Sequence, residues 1–182
     1  MNHLEERLKI LDEWLGDKNL SVTIHVIGAY GIELHDISIG RRTEDIDNVS
    51  PITSEDIIAK IHAIGEQFGE PKWFDLGASS LSLPDGYTKR LKRVGTFENI
   101  ELYALSLPDI VILKVAAYFD RRERGIERDL EDLIKINPSF VEIKKGLNFI
   151  IDTHGADLPD KFKKELKKSV HELEIELKKL FK

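Results

Sequence analysis

The sequence predicts an α+β fold, with one sheet covered by helices and a helical second half. Short β-branched or alternating runs lie only before residue 106. From residue 107 onward the apolar residues recur at helical spacing. Strands and helices do not alternate regularly, which argues against a doubly wound parallel sheet. A chain of 182 residues, 41% hydrophobic and 33% charged, can bury a core. The organisation read from it is one domain over 1–153 and an amphipathic C-terminal helix over 154–182.

The elements follow in order. Leu4, Leu8, Leu11 and Leu15 fall on one helical face, and residues 16–19 end that helix. Residues 21–27, SVTIHVI, read as a buried strand. Residues 28–35 form a turn and a short helix, 36–42 a loop, and 45–49 a second short strand. Ser54 is a good N-cap, with Glu55 and Asp56 where the helix dipole favours acids. That helix runs to about Phe68, and Gly69 ends it. Residues 73–76 form a third strand. Residues 78–95, with Pro84, Gly86, Lys89, Arg90, Lys92 and Arg93, read as a surface loop whose cations suit an acceptor's phosphates. Residues 100–105 alternate and form a fourth strand. Helices follow over 107–124, with Pro108 near the first position, and over 127–136 after Gly125. Pro138 opens another, to about Thr153. The last runs from Leu158 to the end, with Phe162, Leu166, Leu173, Leu177 and Leu180 on one stripe. That stripe raises self-association, but about three heptads is short for a coiled coil.

Charge and composition exclude several classes. The 27 Lys plus Arg stand against 33 Asp plus Glu, so the chain is not a general polyanion coat. Residues 160–182 hold eight Lys and five acids, a net of +3, which leaves −9 for the other 159 residues of a chain at −6. A basic helix on an acidic body can bind nucleic acid, although a solvated face is the plainer reading. The absence of Cys removes disulfides, thiolate metal sites and cysteine nucleophiles. No apolar run reaches the ~18 residues of a membrane span. The charged N-terminus does not read as a signal peptide, so a cytoplasmic protein without membrane contact is expected. The six His show no H-x-x-x-H spacing.

The chemistry concentrates in residues 28–49. Asp45 and Asp47 flank Ile46, and residues i and i+2 of a strand share a face. Two carboxylates held side by side repel, more so when buried, and a divalent cation relieves them. Hard oxygen ligands suit Mg²⁺ or Mn²⁺, with phosphate completing the shell. An exposed edge strand with two solvated acids is the competing reading. The strand before Gly28 runs into a turn where backbone approaches a ligand closely, and a helix start there aims N–H groups at an anion.

This segment resembles the nucleotidyltransferase superfamily, which pairs a Gly-Gly or Gly-Ser helix start with a D-x-D strand. More narrowly it looks like the minimal, AbiEii-like enzymes of toxin–antitoxin modules and their relatives. There the form is G-G-x-A-L-x-L-H, a short loop, then R-R-T-x-D-I-D. This chain offers Gly28-Ala29, Leu34-His35 and Arg41-Arg42-Thr43-Glu44-Asp45-Ile46-Asp47. Ala29 departs from the Gly or Ser of the pattern.

The resemblance covers roughly residues 20–150 and implies a mixed sheet and a set of roles. Asp45 and Asp47 hold the metal. Gly28, Ala29, Arg42 and Thr43 lie along the triphosphate. Lys114 contacts phosphates from its helix, and Asp129 orients the site, whereas Asp132 reads as structural. A third acid is expected on the strand after the next helix, where Phe74-Asp75-Leu76 offers Asp75; Glu101 is its rival. His35 packs or caps. The activity implied is Mg²⁺-dependent transfer of a nucleoside monophosphate from a nucleoside triphosphate to a hydroxyl of RNA, such as a tRNA end, or of a protein. A toxin with a cognate antitoxin is the setting implied. The alternative is the same fold with a decayed site, acting as a binding or antitoxin-like module.

Overall fold

The computed structural model describes residues 3–181. The chain forms two compact units. The first takes in residues through Asp36, then Gly40–Leu81 and Thr88–Ser106; the second takes in Ile37–Ile39, Ser82–Tyr87 and the chain from Leu107.

The first unit opens with α1 (His3–Asp17), whose Leu4, Leu8, Leu11 and Leu15 are fully buried. β1 (Val22–Val26) buries alternate residues, as a strand packed on one face should. α2 (Gly28–Glu33) is a short helix, and β2 (Ile46–Asp47) follows the loop after it. α3 (Glu55–Gln67) starts on the Ser54 cap, whose hydroxyl accepts from the Ile57 N–H. β3 (Phe74–Asp75), β4 (Lys92–Arg93) and β5 (Ile100–Ala104) complete the strands. β5 lies between β1, parallel to it, and β4, antiparallel. β2 and β3 pair in parallel, and an isolated antiparallel bridge, Val26 to Asn48, ties this pair to the edge of β1. The sheet is therefore mixed, with the leucines of α1 and Ile57, Ile61 and Ile64 of α3 in its core.

The second unit is helical: α4 (Leu107–Arg121), α5 (Arg128–Ile136), α6 (Phe140–Gly155) and α7 (Asp160–Leu180). Val115, Leu133, Ile143, Leu147, Ile150, Leu173 and Leu177 share its core. A Cβ on Gly146 would stand 2.6 Å from Val115 Cβ, so α4 and α6 pack at a distance that only Gly permits.

Four sequence expectations change. Residues 78–95 are more than a loop, because they fold two 3₁₀ turns and the edge strand β4, whose backbone pairs with Tyr103 and Ala104. The D-x-D strand is two residues long and begins at Ile46, so Asp45 stands just before it. α6 is opened by Ser139, which makes a capping box with Glu142, and not by Pro138. On α7 the buried stripe is Val170, Leu173 and Leu177, while Phe162 and Leu180 are each 50% exposed.

Candidate active site

The first unit gathers three acids. β2 and β3 bury Ile46 and Phe74 on one face, which turns Asp47 and Asp75 to the other. Asp47 and Asp75 lie opposite each other in the parallel register. The Asn48 N–H donates to the Asp75 carbonyl at 3.1 Å, and the Ile27 N–H to the Asp47 carbonyl at 3.0 Å. Asp45 is half-buried beside them. Burial first, then the charges of Asp75 and Glu44, push its carboxyl above the ordinary value of 3.8. Like charges are crowded here.

Gly28 closes this cluster. Its φ is +67°, and a Cβ there would fall 1.8 Å from Asp47 Oδ2. Only a glycine leaves room for that carboxylate. The glycine expected to face phosphate thus faces Asp47, one of the two metal-binding candidates, directly. Ala29 follows, half-buried, in the first turn of α2.

A cleft of about 440 Å³ opens beside Asp45, lined by Arg42, Glu44, Asp45, Glu70, Pro71 and Lys72. Arg42 is exposed and donates to Glu70 at 2.7 Å. Buried Arg7 reaches the other Glu70 oxygen at 2.7 Å and lies over the Phe68 ring at 5.0 Å. Burial pushes the Glu70 carboxyl up, but Arg7 and Arg42 outweigh it and hold it below its ordinary value. Thr43 is buried, and among the described residues its hydroxyl has no hydrogen-bond partner. A larger cleft of about 820 Å³ runs along α1, but Glu5, Glu13, Asp17, Glu33 and Glu98 line it and would repel a triphosphate.

The carboxylates fit a divalent ion as a pair. Among the described residues no three His, Asp or Glu side chains converge as a ready-made metal site. Mg²⁺ is usually held by one or two carboxylates, with phosphate and water as the remaining ligands, so two suffice.

A model of the family described as a nucleotidyltransferase of unknown function (DUF6036) matches residues 3–138. The chain belongs to this family. No curated protein and no solved structure matches it. The family match takes in the Gly28 turn, the D-x-D strand and Asp75.

Other residues of this nucleotidyltransferase-like chain are placed as follows. Glu101 sits exposed on β5, accepting from Thr23 at 3.2 Å, opposite β1 and not on the β2–β3 pair. His35 Nε2 lies 2.7 Å from the Leu105 carbonyl oxygen, which accepts a hydrogen bond from it and ties the end of α2 to the end of β5. In the second unit Lys114 Nζ stands 2.9 Å from Asp129 and 2.6 Å from Asp132, both almost fully buried. Arg121 adds a second cation to Asp129 at 3.0 Å. Lys114 and Asp129 thus hold one another and pin α4 to α5.

Sequence reasoning passed over Asn48 and Ser50. Asn48 is fully buried, and its side-chain oxygen accepts from the His25 N–H at 3.1 Å and the Ser50 hydroxyl at 2.6 Å. The Ser50 hydroxyl also lies 2.7 Å from the Thr23 carbonyl oxygen. This network fastens the chain just after Asp47 to β1. The available signal was a polar Asn and Ser interleaved with Val49 directly after the acid pair.

Proposed function

We propose that this chain is a metal-dependent nucleotidyltransferase that moves a nucleoside monophosphate from a nucleoside triphosphate to an acceptor hydroxyl. The observation that carries the reading is the Asp47 carboxylate seated on Gly28, with Asp75 in register beside it and the charge of Asp75 also bearing on Asp45. Such crowding is unfavourable in the absence of a cation and useful in its presence.

Asp45 and Asp47 are the residues that would hold Mg²⁺ or Mn²⁺. When bound, the ion supplies positive charge against the triphosphate. Arg42 and Lys72 line the cleft beside Asp45 and give an anion two cationic contacts. Asp75 is exposed next to Asp47, and in this reading it accepts the proton of the incoming hydroxyl. The new bond joins that oxygen to the α-phosphorus, and the bond to the departing pyrophosphate breaks. Positioning and electrostatics carry most of such a reaction. Lys114 and Asp129 serve in this reading as the buried ion pair between α4 and α5, outside the phosphate contacts.

The acceptor is a hydroxyl of RNA or protein. The Arg41-Arg42-Thr43-Glu44-Asp45-Ile46-Asp47 segment supports a place near the AbiEii-like toxins, with a cognate antitoxin as partner. Arrested growth on expression of the chain, relieved by Asp47→Ala, is the expected cellular result.

Calorimetry with the four nucleoside triphosphates tests the core of the reading. Binding of one of them should require Mg²⁺ and be lost in Asp45→Ala and Asp47→Ala. Absence of binding, or binding indifferent to both aspartates, would leave a nucleotidyltransferase-fold binding module, the reading that Ala29 favours.

A further inference from the structure

Residues 160–168 of α7 present a row of cations. Lys161, Lys163, Lys164, Lys167 and Lys168 stand there against Asp160 and Glu165. At ~100° per residue they cover an arc of roughly 160°. That arc runs from one flank of the helix to the side opposite its buried Val170, Leu173 and Leu177. Four of the five are exposed, and Lys163 is half-buried.

Of the helix's later acids, Glu174 and Glu176 are engaged elsewhere and Glu172 reaches only Lys168 of the row. Glu176 accepts from the Tyr118 hydroxyl at 2.6 Å, Glu174 lies 3.6 Å from Lys144, and Glu172 lies 3.9 Å from Lys168. Among the described residues, Lys163, Lys164 and Lys167 have no carboxylate within 4.0 Å. Phe162 stands next to Lys161, about 100° round the helix beyond the end of the lysine arc, half-exposed, with Lys161 Nζ 6.0 Å from its ring centre. All of these residues lie outside the span of 3–138 that defines the family.

A membrane-surface helix needs a free apolar face. The apolar face of α7 is already buried in its own unit, so that use is closed. A polynucleotide needs only cations spaced along its backbone and a ring on which a base can stack. We propose that the first half of α7 is a docking surface for single-stranded RNA, held through its phosphates by the five lysines and through one base by Phe162. The inference does not depend on the carboxylate site being active.

The test uses the full chain, without metal or nucleotide. Fluorescence anisotropy with a labelled single-stranded RNA of about 20 nucleotides is followed across KCl concentrations. The logarithm of the affinity should fall with the logarithm of salt at a slope of about −3.5, as about five neutralised phosphates require. Replacing all five lysines by Gln should weaken binding about tenfold or more at low salt and flatten the slope. Replacing them by Arg should preserve both. Phe162→Ala should weaken binding severalfold and leave the slope unchanged. Circular dichroism confirms that each variant keeps its helix content. Wild-type chain that does not bind, or a Gln variant that binds as well as wild type, would overturn the proposal. So would equal affinity for poly-glutamate or for phosphatidylserine vesicles. Neither result touches the metal and triphosphate measurement, so the two readings fail separately.

Discussion

The chain gathers acids in two places, buried in one and partly or fully exposed in the other, and treats them in opposite ways. In the second unit Asp129 and Asp132 are almost fully buried, and Lys114 and Arg121 reach them at 2.6 to 3.0 Å. In the first unit Asp75 lies opposite Asp47 and its charge also reaches Asp45, which feels burial and the charges of Asp75 and Glu44 as a penalty on ionisation. A buried carboxylate with its cation in place is a structural part, and its removal from either side exposes the other. Carboxylates that raise one another's cost of ionisation are an arrangement that packing alone does not favour. Their natural complement is a ligand of positive charge.

The largest expected effect breaks the compensated side. Lys114→Met takes from buried Asp129 and Asp132 the cation that touches both, and leaves Arg121, itself half exposed, against Asp129. Unfolding by urea should register a loss of about 3–5 kcal/mol. Exchange of Lys114, Asp129 and Asp132 together for apolar residues of similar size should recover most of it. A loss below about 1 kcal/mol for Lys114→Met would mean that water, and not the pair, carries those charges.

The next effect probes the crowded side. Gly28→Ala adds a Cβ 1.8 Å from Asp47 Oδ2 at a φ of +67°. The expected loss is about 1–3 kcal/mol from the backbone strain, with the clash added to it. In a double-mutant cycle, Asp47→Gly should remove the clash and leave the strain. Coupling of at least about 0.5 kcal/mol between the two positions is the expected outcome. Zero coupling would separate Gly28 from Asp47 and remove the main geometric support for the site.

The legibility of these two regions differs for a physical reason. Gly28 and the Asp45–Asp47 spacing could be read because strand periodicity and glycine's conformational range are local properties. The α+β class was legible for the same reason, since periodicity changes near Leu107. The place of Asp75 opposite Asp47 was not local, because it depends on a parallel pairing across the whole of α3. β4 was illegible because two residues, Lys92 and Arg93, carry no strand signal, and their pairing is set by Tyr103 and Ala104. The partners of Lys114 were half legible. Asp129 and Asp132 announce a shared helix face, but nothing in α4 says which cation faces them. Asn48 and Ser50 were missed because a buried polar network is recognised only once its partners are known.

The smallest effect separates the two kinds of acid by the sign of their pH dependence. Glu142 accepts hydrogen bonds from the Ser139 hydroxyl and N–H, and these hold its carboxyl below the ordinary value of 4.5. A depressed acid stabilises the fold above its ordinary value, and that contribution is lost as pH falls through the lowered one. Asp45 is shifted upward, so its contribution has the opposite sign. It is present at acid pH and lost as pH rises through the raised value. Ser139→Ala should cost about 1 kcal/mol near neutrality, and less once Glu142 is protonated. Asp45→Asn should leave the chain more stable than wild type near neutrality, where the average substitution costs about 1 kcal/mol, and the gain should vanish on acidification. Urea unfolding of both variants from about pH 3 to pH 7 reads both slopes. A destabilised Asp45→Asn at neutral pH would mean that the carboxylate is satisfied within the protein, and the contrast between the two acid clusters would fall.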